Sequence, residues 1–130
     1  MKKIKILIVE DDKQISNIYK FKLEKYGYDV DLAFNGQEGL THAENYMPDI
    51  ILLDLLMPVI SGEEMLKQMR KFPWGASIKV IILTNISKDE APSSLGLLGV
   101  DRYIVKAHYT PTQVLDIIEE VMQHTGHKKS

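Results

Sequence analysis

Four places in the chain carry side chains suited to chemistry: Glu10-Asp11-Asp12, Asp54, Thr84 and Lys106. Each directly follows a short apolar run, Ile6–Val9, Ile50–Leu53, Val80–Leu83 and Tyr103–Val105 respectively. In an open parallel sheet, ligands bind beyond the carboxyl ends of the strands. If these runs are neighbouring strands, groups far apart in the chain converge on one end of the sheet. Carboxylates ~5 Å apart repel by roughly 3 kcal/mol per pair at an effective dielectric of ~20. Gathered together they push one another toward protonation unless a cation joins them. Lys106 supplies one positive charge, fewer than the acids require. A hard divalent cation supplies the rest, and an all-oxygen ligand set suits Mg2+, which keeps several of its waters. The competing ligand for such a sheet is a nucleotide or flavin phosphate, which wants a Gly/Ser/Thr-rich turn after the first strand. Glu-Asp-Asp repels it.

The elements that must position these groups are legible in the pattern. Continuous apolar runs of strand length, rich in Ile and Val, suit strands covered on both faces. A fifth run, Tyr28-Asp29-Val30-Asp31-Leu32, alternates instead and suits a half-exposed edge strand. Between the runs lie helical patterns with start signals. Ile15, Ile18, Tyr19 and Leu23 form one face of a first helix that Gly27 closes. Asn35 with Glu38 opens a second, with Leu40, Ala43 and Met47 inward and Pro48 beyond it. Ser61…Glu64 reads as a capping box before Met65, Leu66 and Met69. Ser87…Glu90 reads as another, though Pro92 and Gly96 make this fourth helix the weakest. Thr110…Gln113, with Pro111 at the first helical position, opens a fifth along Val114, Ile117, Ile118, Val121 and Met122.

Strand then helix, five times over, predicts an α/β fold. Right-handed crossovers and covered central strands make it a doubly wound five-stranded parallel sheet with helices on both faces. The flavodoxin-like order 2-1-3-4-5 places the alternating second strand at an edge. The 130 residues suffice for one domain, expected over 1–124, with a polar tail at 125–130. A net charge of −2 argues against nucleic acid as a direct partner. The absence of cysteine excludes disulfides, thiol chemistry and cysteine-bound zinc. No apolar run approaches the ~20 residues of a membrane span, and the apolar stretch after Met1 is too short for a signal peptide. The chain reads as cytoplasmic.

Glu10-Asp11-Asp12, Asp54-Leu55-Leu56-Met57-Pro58 running to Gly62, Thr84 and Lys106 together resemble a bacterial response-regulator receiver domain, stand-alone and similar to the chemotaxis regulators. The resemblance covers Lys5 to about Met122. It implies a signalling switch in a two-component phosphorelay rather than a turnover enzyme. Asp54 would accept a phosphoryl group from a histidine kinase or histidine phosphotransfer protein, with Mg2+ assistance. The same resemblance implies that Asp12 and Asp54 ligate the metal directly, with the Leu56 backbone carbonyl, and that Asp11 acts through water. Lys106 and Thr84 would contact the phosphoryl oxygens, and Tyr103 would be the switch aromatic. A downstream effector protein would read the face of fourth helix, fifth strand and fifth helix. No effector domain follows in this sequence, so the chain is expected to act through partners or to derive from a longer protein.

Two positions depart from the family pattern. Ala107 stands where the family usually has a proline with a cis bond after the lysine, and Asn85 is larger than the small residue common there. The two positions that tune phosphoryl lifetime, Leu56 and Ile86, are both apolar, which implies slow dephosphorylation. Two alternatives stand beside the switch: a phosphate-independent interaction module of the same fold, favoured by Ala107, and a hydrolase with an aspartyl nucleophile. Such hydrolases usually carry a second aspartate where this chain has Leu56.

Overall fold

The computed structural model of the chain describes residues 3–123; the domain end expected at 124 and the tail expected at 125–130 lie outside them. Strands β1 (Lys5–Val9), β2 (Asp29–Ala33), β3 (Ile50–Leu53), β4 (Lys79–Thr84) and β5 (Arg102–Val105) form one parallel sheet in the order 2-1-3-4-5. The register aligns Val9 with Leu53, Leu53 with Ile82 and Thr84 with Val105, so β1 and β3 end together while β4 runs two residues further and ends beside β5. Consecutive side chains of a strand point to opposite faces. Ile6, Ile8, Ile50, Leu52, Ile81 and Leu83 therefore join the core beneath α1 (Lys13–Lys25) and α4 (Pro111–Gln123). Leu7, Val9, Ile51, Leu53, Val80 and Ile82 join the opposite core beneath α2 (Gly36–Tyr46) and α3 (Gly62–Arg70). Each such side chain, fully buried, contributes about 1.5–3 kcal/mol relative to exposure.

Three helix starts are built as the spacing predicts. The Asn35 side chain accepts from Glu38 N–H at 2.8 Å, and Ser61 Oγ accepts from Glu64 N–H at 3.1 Å. Thr110 and Gln113 cap each other reciprocally: Gln113 N–H donates to Thr110 Oγ1 at 3.2 Å, and Thr110 N–H to Gln113 Oε1 at 2.8 Å. Gly27, at φ +94°, ends α1 in the left-handed region that glycine enters without a Cβ penalty. Two residues read as inward lie at the edges of their helices. Ile18 on α1 and Met47 after α2 are both about half exposed, while Tyr19, Leu23 and Ala43 carry the packing.

The fourth helical pattern is not an α-helix. It forms two short 3-10 segments, Lys88–Glu90 and Ser93–Leu98, with extended backbone at Ala91 and Pro92 between them. Proline lacks an N–H for an interior helical bond, and Gly96 and Gly99 leave the segment without propensity to offset that loss. Only Leu95 of the second segment is buried. Consequently α4 is the helix that the sequence pattern placed fifth.

Candidate functional site

Asp54 leaves β3 with its N–H still bonded to Val9 O, at 3.0 Å, so the sheet itself fixes its Cα. Its carboxylate is 6% exposed. Oδ1 accepts from Leu56 N–H at 3.2 Å, and Oδ2 lies 3.0 Å from the Lys106 ammonium. Lys106 reaches across from the end of β5 and also donates to Glu10 Oε1. Glu10 is 3% exposed, and its other oxygen accepts from Asp12 N–H at 3.0 Å. Carboxylate oxygens of Glu10, Asp11 and Asp54 all lie within 4.8 Å of one another.

The electrostatics follow from this crowding. Burial pushes the Glu10 carboxyl above its ordinary range, partly offset by the bonds from Lys106 and Asp12 N–H. Burial alone would pull Lys106 down, but its bonds to Glu10 and Asp54 outweigh that, and the net shift is upward. Lys106 therefore stays protonated at neutral pH. One ammonium faces three carboxylates. The deficit of positive charge and the all-oxygen donor set fit a hard divalent cation.

Asp12 is not among these oxygens. Its Oδ1 accepts from Gln14 N–H at 2.9 Å and Ile15 N–H at 3.2 Å, making it the N-cap of α1. The sequence reading put Asp12 directly on a metal; the structure places it at the start of the helix, outside the cluster of Glu10, Asp11 and Asp54. A helix start leaves N–H groups without partners, and a short carboxylate in extended backbone satisfies them. With Asp12 committed to the helix, Glu10 and Asp11 are the acids that face Asp54. The acidic set is thus one residue earlier than the resemblance implies.

The remaining predicted groups sit at the same end of the sheet. Thr84 is fully buried as the last residue of β4, and its Oγ1 has no hydrogen-bond partner among the described residues. A buried hydroxyl without a partner costs free energy. Tyr103 packs against the core on the α2–α3 side, and its hydroxyl donates to Ile86 O at 2.8 Å, two residues beyond Thr84. Asn85 is exposed at the rim. Ala107 does not detach Lys106: no cis peptide bond occurs among the described residues, and Lys106–His108 forms a 3-10 turn that still delivers the ammonium to Asp54.

Two supports of the site escape sequence reasoning. A Cβ on Gly62 would fall 2.1 Å from Asp54 O, so α3 begins directly on the peptide that follows the central aspartate. Val59, in the loop between them, adopts φ +72°, a strained conformation for a β-branched residue. The run from Asp54 to Gly62 carries a sequence signal for the glycine; nothing in the sequence marks Val59.

A flavodoxin-like parallel sheet with an acidic cup, a half-buried lysine and a buried threonine at its carboxyl end is the architecture of a receiver domain rather than of a nucleotide-binding fold. Comparison with known proteins agrees. The response regulator receiver domain family model matches residues 6–119, and the chain belongs to that family. The chain is 34% identical over 126 residues to the alkaline phosphatase synthesis transcriptional regulatory protein PhoP of Bacillus subtilis, covering 93% of this chain and 49% of PhoP. The chain thus spans about half the length of the curated relatives it matches. Among solved structures, a CheY-like receiver domain protein from Methanospirillum hungatei superposes with a TM-score of 0.87 at 32% identity, over 98% of this chain and 100% of that one. The response regulator TrrA from Thermotoga maritima, solved with Mg2+ and beryllofluoride, gives 0.79 at 30% identity, over 91% and 98%. Receiver domains are signalling domains, and phosphorylation-based signalling is their general function. Among the described residues, no helix is long and apolar enough to cross a membrane.

Proposed function

We propose that the chain is a phosphorylation-dependent switch of a two-component phosphorelay, with Asp54 as the phosphoacceptor. The observation that carries this reading is the buried Asp54 carboxylate, held by Lys106 among the oxygens of Glu10 and Asp11. The donor is a phosphohistidine of a kinase or phosphotransfer protein. An Asp54 carboxylate oxygen attacks phosphorus, a P–O bond forms as the donor's P–N bond breaks, and the departing imidazole takes a proton from solvent. Magnesium, when bound, would offset charge on the transferring group. Asp11 and Asp54 would hold it with the Leu56 carbonyl, and Glu10 would contribute through water. Lys106 would exchange Asp54 Oδ2 for a phosphoryl oxygen, and Thr84 would donate its unused hydroxyl to another.

Phosphorylation converts the Asp54 carboxylate into a group carrying close to two negative charges. The pull on Thr84 and its loop would be felt at Ile86, whose carbonyl holds Tyr103. A downstream effector, separate or joined to this domain, would read the face made by the two 3-10 segments, β5 and α4. Incubation with acetyl phosphate and Mg2+ followed by intact-mass measurement tests the chemistry. Wild type gains ~80 Da, one phosphoryl group, and Asp54→Asn does not. An equal gain in Asp54→Asn refutes the assignment.

A further inference from the structure

The segment Ser93–Leu98 lies on the face assigned to the effector, yet its side-chain and carbonyl bonds go elsewhere. At its start, Ser94 Oγ–H donates to Glu63 Oε2 at 2.6 Å, and Glu63 is the second residue of α3. At its end, Arg70, the last residue of α3, donates Nε–H to Leu98 O at 2.8 Å and Nη2–H to Gly99 O at 3.2 Å. The same guanidinium donates from Nη1 to Gly75 O and Ile78 O, both at 2.8 Å, which pins it to the loop before β4. The segment is therefore clamped at both ends by one helix. Its own anchorage is limited to buried Leu95 and partly buried Leu98, while Leu97 is 93% exposed.

At its other connection, α3 rests on the acceptor loop. Gly62 N–H donates to Leu55 O at 3.0 Å, and the contact with Asp54 O is too close for any Cβ. A shift of the Asp54–Leu55 peptide must move Gly62, because packed backbone has no slack to absorb it. Glu63 follows Gly62 directly, so the motion reaches Ser94 through a single residue.

We infer that α3 is a lever that carries the state of Asp54 to Ser93–Gly99, with Glu63–Ser94 and Arg70–Leu98/Gly99 as its two couplings. This rests on the switch reading above and adds a second route beside Thr84 and Tyr103. The lever acts by dragging the segment bodily across the effector face. The Thr84 route acts on the loop after β4.

Amide hydrogen exchange on the intact chain, with and without Mg2+ and beryllofluoride, tests this. In wild type, the additive changes exchange at Asp54–Leu56, Thr84–Ile86 and Ser93–Gly99. Ser94→Ala removes one coupling without touching the pocket, and Arg70→Lys removes the other while keeping charge and most of the stem. Ser94→Ala raises basal exchange at residues 94–99 by about tenfold, the effect of one lost hydrogen bond on local opening, and Arg70→Lys, which breaks two bonds to the segment, raises it further. Each also loses most of the additive-induced change at Ser93–Gly99 while keeping it at Thr84–Ile86. A full response at Ser93–Gly99 in both variants overturns the lever and leaves the switch intact. No response anywhere in wild type overturns the switch reading, and the lever with it.

Discussion

Gly62→Ala is the sharpest perturbation the structure offers, because it adds one methyl group at the junction of the acceptor loop and α3. The new Cβ would stand 2.1 Å from Asp54 O and 3.0 Å from Asp54 C and Leu55 Cα, against ordinary contacts of 3.4–4 Å. The obstruction is backbone, so no side chain can swing aside. Either α3 slides away or the Asp54–Leu55 peptide moves by about an ångström. Forced overpacking of this kind costs roughly 1–3 kcal/mol, which for a domain of this size lowers Tm by about 4–15 °C. Displacement of a reacting group by ~1 Å costs on the order of 100-fold in rate. The assay is the initial rate of the ~80 Da mass gain with acetyl phosphate, alongside a thermal melt. Gly62→Ala is expected to melt lower and to acquire phosphate at least about tenfold more slowly even where it is fully folded. Wild-type rate and wild-type Tm in this variant would refute the claim that α3 bears on the acceptor peptide.

Thr84→Val removes a buried hydroxyl that lacks a partner, so the unphosphorylated protein should gain about 1 kcal/mol in urea denaturation. The same variant should lose the beryllofluoride-induced change at Ile86 and Tyr103, and a drop in stability would contradict the account. Leu56→Asn with Ile86→Glu supplies polar groups able to orient a hydrolytic water, so release of phosphate from Asp54 should quicken about tenfold or more; a rate no faster than wild type contradicts the shielding role of the two apolar residues. Glu63 has its pKa lowered chiefly by the Ser94 hydroxyl, against an opposing cost of burial, with the nearby Lys67 adding lesser lowering contributions. A folded-state pKa below the unfolded value contributes stability above the unfolded pKa and loses it as pH falls through the folded one. The stability gap between wild type and Glu63→Gln should therefore be about 1 kcal/mol at neutral pH and close below the carboxylate range; a gap that persists at low pH would assign it to packing instead.

Much of this architecture is readable from residue order because its signals are local. Four apolar runs bounded by chemistry-bearing residues mark strands covered on both faces, and the reciprocal Thr110–Gln113 cap is visible as a four-residue spacing. Convergence of Asp54, Thr84 and Lys106 follows once the strands are parallel, since each residue ends or follows its strand. The helix-capping place of Asp12 is hidden in the sequence because three consecutive acids look alike there. Which two face the pocket depends on where the helix begins and which residue caps it, and that is settled by backbone geometry. The Ser87–Glu90 box suggested a helix, but a start signal has no force when Pro92 and two glycines follow within the next turns. Arg70 left no trace, because an arginine in the last turn of a helix ordinarily serves only the helix dipole. Its four carbonyl partners come from two separate stretches of the chain, the loop before β4 and the end of the second 3-10 segment.

The placement of the acids is open to direct measurement. Titrating Mg2+ into wild type, Asp11→Asn and Asp12→Asn, followed by the amide resonances of Asp54 and Leu56, separates the two registers. Loss of saturable binding in Asp11→Asn, with near-wild-type affinity in Asp12→Asn, is the outcome the structure predicts. The reverse pattern would mean that Asp12 leaves its helix cap for the ion, and the geometry assigned to the acceptor site would be wrong.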